Sequence, residues 1–171
     1  MIRSLDGKTP NIDPTAFISE FAYVIGDVEI GAGSSVWPGA VIRADAGKIT
    51  IGKNTCIQDN SVLHGDDDVE IGNNVVIGHK VLCHATRIGN RVLLGNGSTI
   101  NDGVTIGSDS LIASGTVLPD KQSIPKNSIV MGVPGKIRSV INQKFIDLIN
   151  HTSDSYAKRA IKYKNEGNLE S

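Results

Sequence analysis

The chain has 171 residues, enough for one domain with a core of its own. Its 17 Lys and Arg residues nearly balance 18 Asp and Glu residues. A net charge of -1 without any basic block excludes electrostatic capture of nucleic acid or of an anionic membrane. No apolar run approaches the ~20 residues of a membrane span. The first seven residues lack the apolar stretch of a secretory signal, so we expect a cytoplasmic protein.

The composition predicts a narrow core with tight turns. The chain has 19 glycines but only 4% aromatic residues, so aliphatic side chains must fill the interior. Cys56 and Cys83 are the two cysteines of a chain that shows no secretory signal. We therefore expect two reduced, buried thiols rather than a disulfide.

An aliphatic residue recurs every six residues along most of the chain. The register slips by three residues after Ile42, by two after Leu63 and back by one after Cys83. Of twenty such positions, nineteen are Ile, Leu or Val, which makes a chance pattern untenable. The positions are Ile12, Ile18, Val24, Ile30, Val36, Ile42, Ile51, Ile57, Leu63, Ile71, Ile77, Cys83, Ile88, Leu94, Ile100, Ile106, Ile112, Leu118, Ile124 and Val130.

A period of six fits neither the 3.6 residues of a helical turn nor the alternation of a long strand. If each hexapeptide is one short strand and one corner, three hexapeptides close a triangular coil with its aliphatic side chains inside. Coils stacked at the strand spacing of ~4.8 Å form a parallel β-helix, here of about seven coils. The pattern thus predicts an all-β solenoid over residues 1–135, whereas an ordinary β-sandwich would not keep twenty aliphatic residues in phase. The repeat resembles that of left-handed β-helix proteins, and this resemblance alone implies the left-handed sense.

The last part of the chain has a different pattern. Val133-Pro134-Gly135 marks the exit from the stacked coils. Apolar residues from Ile137 to Ile149 then recur at helical spacing, and a second helical segment is predicted to start at the capping residue Ser153. We expect residues 136–171 to form a C-terminal α-helical arm packed on the outside of the β-helix, frayed from Asn165 onward.

Three of the four histidines lie within twenty-one residues, and their register separates them. His64 and His84 each follow the third inward position of a coil, as Arg43 does, so they share one edge of the prism one coil apart. His79 comes two residues after the second inward position and lies at another edge. A catalytic zinc ion uses three protein ligands at ~2.0–2.1 Å. One subunit therefore cannot supply all three imidazoles, but neighbouring edges in a cyclic trimer can meet and combine them.

Several motifs together resemble the gamma-class carbonic anhydrase family over most of the chain. In chain order they are Arg43-Ala-Asp45, Ile51-Gly52, Ile57-Gln-Asp59, His64, Gly78-His79, His84 and Gly132-Val-Pro-Gly-Lys136. Acyltransferases share the hexapeptide repeat, so the order and spacing of the histidines carry most of the resemblance.

The resemblance implies a metal-dependent enzyme that reversibly hydrates carbon dioxide to bicarbonate at the interfaces of a homotrimer. It implies His64 and His84 as metal ligands from one subunit and His79 as the ligand from its neighbour. Gln58 would hydrogen-bond the metal-bound water or bicarbonate. Arg43, Asp45 and Asp59 would form a charged network at the subunit boundary. Zn²⁺ is the expected ion, although three imidazoles also suit Fe²⁺ or Co²⁺.

The chain departs from the family pattern in several places. Cys56 stands where members often have Asn, Gly95-Asn96-Gly97 replaces a common Gly-Met-Gly, and Ala46 replaces a carboxylate. The long acidic loop that carries a proton shuttle in an efficient archetype is cut to Gly65-Asp-Asp-Asp68. These aspartates either relay protons or form an ordinary solvated turn.

Two other functions remain open at this stage. A hexapeptide-type acyltransferase or thioesterase would act on coenzyme A esters with a histidine as general base, although no extended loop or basic cluster suits a nucleotide phosphate. A catalytically silent structural or metal-binding homologue would keep the ligands without turnover. Metal content separates the acyltransferase from the others, and a hydration assay separates the enzyme from the silent homologue.

Overall fold

The structure, a computed structural model, describes residues 1–166, which form twenty short strands and one helix. The helix α1 spans Gln143–Glu166. The strands, β1 to β20 in chain order, are Ile2–Arg3, Asn11–Ile12, Phe17–Ile18, Tyr23–Ile30, Ser35–Val36, Val41–Ile51, Cys56–Ile57, Val62–His64, Val69–Ile71, Val76–Ile77, Leu82–Cys83, Arg87–Ile88, Val92–Leu94, Thr99–Ile100, Thr105–Ile106, Ser110–Ile112, Val117–Leu118, Ser123–Ile124, Ser128–Met131 and Lys136–Val140.

The strands stack as a left-handed parallel β-helix of about seven triangular coils, which confirms the predicted fold class. The strands of the coils pair in parallel with the equivalent strands of the next coil, β20 excepted, and the twenty aliphatic positions align in three columns. The first column runs from Ile12 to Ile124, the second from Ile18 to Val130 and the third from Val24 to Leu118. Most of these side chains are fully buried and form one continuous core. Because each coil buries its apolar edge only against its neighbours, the stack folds as a unit.

Glycines allow the corners of successive coils to approach closely. A Cβ atom on Gly31 would lie 2.9 Å from the backbone carbon of Gly52 in the next coil, closer than real contacts allow. Asparagine completes other corners, where Asn54 and Asn74 adopt positive φ values of 51° and 55°. Glycine and asparagine residues therefore form tight corners, as the high glycine content predicts.

The outward-pointing residues give the three faces of the prism different surfaces. The first face is polar, with the register Glu29, Thr50, Glu70, Arg87, Thr105 and Ser123. The second face is mostly apolar and lies under α1, with the register Phe17, Ser35, Cys56, Val76, Leu93, Leu111 and Ile129. The third face is mostly apolar and stays partly exposed, with the register Tyr23, Val41, Val62, Leu82, Thr99 and Val117.

The C-terminal part differs from the expectation in two respects. The prediction of a helix from Ile137 is wrong, because Lys136–Val140 forms β20, which pairs antiparallel with β19. This strand satisfies backbone groups that the last coil would otherwise leave unpaired at the open end of the stack. The prediction of a second helix start at Ser153 is also wrong. Ser153 lies inside α1, and Asn142 caps the helix by accepting a hydrogen bond from Phe145 N at 3.3 Å.

The helix α1 packs along the second face of the β-helix. Ile149 is fully buried in a cluster with Leu111 and Ile129, and Ala160 packs in another with Phe17 and Trp37. Ser153 Oγ donates a hydrogen bond of 2.6 Å to the carbonyl of Asn54, which explains why this serine is buried. The helix therefore has a defined register on the column. The division of the chain at residue 135 remains a prediction, and the frayed segment expected after Asn165 lies largely outside the described residues.

Within residues 1–166, no helix combines the length and the apolar character that crossing a bilayer requires.

Candidate metal centre

His64 and His84 meet at the corner that follows the third face. Leu63 and Cys83 pair with each other and point inward with no exposed surface, so the next residue in each chain segment emerges at the corner. The rings lie one above the other, with His64 Nδ1 and His84 Nε2 2.9 Å apart. Their side chains are only 13% and 22% exposed, which restricts the rings to this corner. The predicted pairing of these two histidines on one edge is thus observed.

A carboxylate contacts the far nitrogen of each ring. Asp45 Oδ1 lies 2.9 Å from His64 Nε2, and Asp102 Oδ1 lies 3.3 Å from His84 Nδ1. Arg43 forms a salt bridge with Asp45. Burial opposes ionisation of Asp45, yet hydrogen bonds from His64 and Arg43 together hold the pKa of Asp45 below its usual value.

These carboxylates favour N–H protons on the far nitrogens, so the two nitrogens that face each other carry lone pairs. Two facing lone pairs at 2.9 Å are stable only with a proton or a metal ion between them. In a tetrahedral site, two imidazole nitrogens at 2.0–2.1 Å from one ion lie about 3.3 Å apart. A shift of a few tenths of an ångström would therefore accommodate the ion, and the donor set fits a divalent metal.

Asp66 lies beside the same corner. Its Oδ1 is 4.0 Å from His84 Nε2. Among the described residues, His64, Asp66 and His84 form the group whose potential ligand atoms all lie within 4.8 Å of one another. The side chain of Asp66 is 76% exposed and is free to change rotamer.

His79 lies at the other edge of the third face, as its register predicts. Its Nδ1 is 3.0 Å from Asp59 Oδ2, and its Nε2 is 3.5 Å from the hydroxyl of Tyr156 on α1. Gln58 is buried one coil below, where its backbone N–H donates to the carbonyl of Ile77. Gln58, His79 and Tyr156 line one pocket of about 250 Å³ between the column and α1. Burial is the main reason that the pKa of Tyr156 is raised.

The predicted site residues therefore fall into two sets in a single subunit. Arg43, Asp45, His64 and His84 lie at one corner of the third face, and Gln58, Asp59 and His79 lie at the other. The expected single charged network of Arg43, Asp45 and Asp59 is divided between these corners. It can be continuous only across a subunit boundary.

Sequence reasoning missed two residues near these sets. Asp102 stands two residues after the inward position Ile100, whereas His84 stands one residue after Cys83, so the register indicates the corner of Asp102 but not its contact with His84. Tyr156 had no comparable signal, because it reaches His79 only through the docking of α1 on the second face. The sequence shows that Tyr156 is helical but not where its ring lies.

Comparison with known proteins first defines the class. The family model described as "Bacterial transferase hexapeptide (six repeats)" matches residues 9–44 and 85–120. A solved structure, a hexapeptide transferase family protein from Anaplasma phagocytophilum, is 33% identical with a TM-score of 0.91. The match covers 95% of this chain and 97% of that one. This chain is thus a hexapeptide-repeat protein.

The relatives narrow the class to a family. The chain is 44% identical to a "Probable carbonic anhydrase" of Methanocaldococcus jannaschii, over 82% of this chain and 90% of the relative. It is 34% identical to a "Carbonic anhydrase" of Geobacillus kaustophilus, over 96% of this chain and 91% of the relative. The chain belongs to the gamma-class carbonic anhydrase family. It spans 58% of the length of two mitochondrial gamma carbonic anhydrases of Arabidopsis thaliana, to which it is 33% and 31% identical.

Proposed function

We propose that this protein is a metal-dependent carbonic anhydrase that reversibly hydrates carbon dioxide to bicarbonate at the interfaces of a homotrimer. The observation that carries the proposal is the convergence of His64 and His84, each backed by a carboxylate, in a chain of the gamma-class family. The two ligand sets needed for a complete site, His64 with His84 and His79 by itself, lie at opposite borders of one apolar face.

The outer surface of the β-helix supports a trimer. The first face is polar and α1 covers the second, whereas the third face leaves apolar side chains such as Leu82 44% exposed. Three copies can bury these faces against one another around a threefold axis. Because the His64 corner and the His79 corner border this face on opposite sides, each corner of one subunit would meet the opposite corner of its neighbour.

In that arrangement, His79 of one subunit completes the site that His64 and His84 form in the next. Gln58 accompanies His79, since both lie at the same corner and line the same pocket. Asp59 orients the ring of His79 through Nδ1, and Nε2 would exchange its 3.5 Å contact with the hydroxyl of Tyr156 for the metal. Each of the three imidazoles would thus be held by a carboxylate, from Asp45, Asp59 and Asp102.

Zn²⁺ is the proposed ion, and Fe²⁺ or Co²⁺ also suit three imidazoles. When bound, the ion supplies hydroxide for attack on carbon dioxide at neutral pH, because it lowers the pKa of water to about 7. The carboxamide of Gln58 can orient that nucleophile without taking up a proton. Arg43 fixes the carboxylate of Asp45, and Asp45 in turn holds the ring of His64.

The test is metal analysis of anaerobically purified protein beside a stopped-flow assay of carbon dioxide hydration. We expect one ion per subunit and hydration that a chelator abolishes. His84→Ala should lose both the metal and the activity. His151→Ala is the matched control, because this fourth histidine is exposed on α1, and it should change neither. If metal-loaded protein hydrates carbon dioxide no faster than buffer does, the proposed enzymatic activity is refuted. The protein would then be a catalytically silent metal-binding homologue.

One observation favours acyl transfer as a second candidate. His79, oriented by Asp59, faces the pocket beneath α1, which is the arrangement of a general base beside a substrate cleft. A structure similar to this chain is also named as a hexapeptide transferase. Hydrolysis of acetyl-coenzyme A to acetate and free coenzyme A by metal-free protein, lost in His79→Ala, would support this candidate over hydration.

A further inference from the structure

We infer that a single subunit holds the divalent metal through His64, His84 and Asp66 before the neighbour's imidazole completes the site. This inference rests on the proposed metal centre and adds a third ligand that the chain itself supplies. It sets an order of events in which the metal binds first and assembly then exchanges Asp66 for His79 of the adjacent subunit.

The three ligands from one subunit, His64, His84 and Asp66, form what we call the half-site. Their donor atoms already lie close together in one chain. His64 Nδ1 and His84 Nε2 are 2.9 Å apart, and Asp66 Oδ1 is 4.0 Å from the latter. All three lie within 4.8 Å of one another. Two imidazoles and one carboxylate form a common ligand set for Fe²⁺, and zinc accepts the same donors. The two rings are nearly buried and oriented, so only the third ligand has to move.

The backbone of the acidic loop is fixed while the side chain of Asp66 stays free. Asp68 Oδ1 accepts a hydrogen bond of 2.8 Å from the backbone N–H of Lys48. Gly47 packs so closely under the loop that an added Cβ atom would lie 2.3 Å from the backbone of Asp67. Asp66 stands on this anchored loop with its side chain 76% exposed, so a rotamer change toward the two rings costs little.

The third histidine, His79, is also oriented by a carboxylate, but it lies far from the His64 corner. His79 is held by Asp59 at the far border of the third face, and it belongs to no three-donor group within its own described chain. A subunit without neighbours can therefore offer the metal only Asp66 as a third protein ligand at the His64 corner. The exposure of Asp66 then permits its displacement when a better-oriented imidazole arrives.

The experiment measures Co²⁺ binding by equilibrium dialysis and by the visible absorption of the bound ion, without any activity assay. The proteins are the wild type, His79→Ala, Asp66→Asn and the double variant His79→Ala/Asp66→Asn. Asp67→Asn, alone and with His79→Ala, is the matched control, because it removes the same charge from the same loop. His79→Asn replaces His79→Ala if the latter fails to fold.

We expect His79→Ala to retain one Co²⁺ per subunit with weakened affinity and a changed absorption spectrum. Adding Asp66→Asn to His79→Ala should weaken binding further. The decrease in affinity should exceed the about 10- to 100-fold that is typical when a ligand loses a hydrogen-bonding partner. Adding Asp67→Asn should have little effect.

Two results would overturn the half-site while leaving the trimer site intact. These are a complete loss of Co²⁺ binding in His79→Ala, and equal binding by His79→Ala with and without Asp66→Asn. Wild-type affinity in His79→Ala would instead remove His79 from the metal and refute the proposed trimer site. The failures of the two proposals are therefore distinguishable.

Discussion

Each of the three clustered histidines has a carboxylate on one ring nitrogen. Asp45 contacts His64, Asp102 contacts His84 and Asp59 contacts His79, at 2.9, 3.3 and 3.0 Å. Such contacts fix the tautomer and the orientation of a metal-binding imidazole and increase its basicity. At the scale of single residues, the proposed metal site is therefore prepared by contacts that its histidines make through the nitrogen away from the proposed ion.

Asp102 offers a direct test, because no motif marked it. Asp102→Asn should lower the metal affinity about 10- to 100-fold, since a neutral amide orients the ring of His84 less strongly. The measurement is competitive titration of the metal-free protein with Zn²⁺ and a chromophoric chelator. Asp120→Asn, an exposed carboxylate one coil beyond Asp102 at the same corner, is the control and should bind as the wild type does. Equal affinities in both variants would contradict the positioning role.

The two cysteines provide a second test at the residue scale. Burial raises the pKa of Cys56 to about 12 and that of Cys83 to about 11, so neither thiol ionises appreciably at pH 8. Both are buried and free, as expected from the sequence.

We predict that the native protein does not react with a chromogenic disulfide reagent at pH 8, whereas two thiols per chain react in the denatured protein. Rapid reaction of one thiol in the native state would show that its environment is open to solvent.

At the scale of elements, no strand is stable by itself. Most strands contain two or three residues, too few for independent stability, and only stacking between coils buries their side chains. The two C-terminal elements contact the stack in different ways. The strand β20 pairs with the last coil, while α1 returns along the second face and carries Tyr156 to the pocket beside His79.

The docking of α1 can be measured with one pair of substitutions. Ile149→Ala should lower the free energy of unfolding by about 2–5 kcal/mol, because the fully buried side chain leaves a cavity against the second face. Ile161→Ala lies on the same helix with 58% exposure and should change it by less than about 0.5 kcal/mol. Urea denaturation at one fixed protein concentration provides the comparison. Equal losses would show that α1 is not docked as described.

At the scale of the whole molecule, the three faces of the β-helix have different surroundings. The first face is polar, α1 covers the second, and the apolar third face has half of the proposed metal site at each border. In the proposed cyclic trimer, both halves of each subunit would meet complementary halves of its neighbours.

Leu82→Lys should therefore prevent assembly, because a charge on the third face would be buried against a neighbour. Light scattering after size-exclusion chromatography should show three times the chain mass for the wild type and a smaller mass for the variant. Thr105→Lys places the same charge on the polar first face and should remain trimeric. A trimeric Leu82→Lys protein would contradict the proposed interface.

Regular spacing made most of the fold predictable from the sequence. In a β-helix, each inward position recurs at a fixed interval, so Ile57, Ile77 and Leu94 could be placed in one column before any coordinates. The same counting placed His64 above Arg43, put His84 one coil further on and separated His79 from them. These inferences succeeded because the register of a β-helix follows directly from the spacing of residues along the chain.

The remaining features depend on contacts between segments that are far apart in the chain. The segment Lys136–Val140 has helical spacing but becomes a strand, because the open edge of the last coil offers unpaired backbone groups. Ser153 resembles a helix cap but is buried against Asn54, ninety-nine residues away. Spacing alone determined the column of aliphatic residues and the edges on which the histidines lie. Only the tertiary structure decided which carboxylate holds each ring, because side-chain distances across coils follow from packing and not from sequence separation.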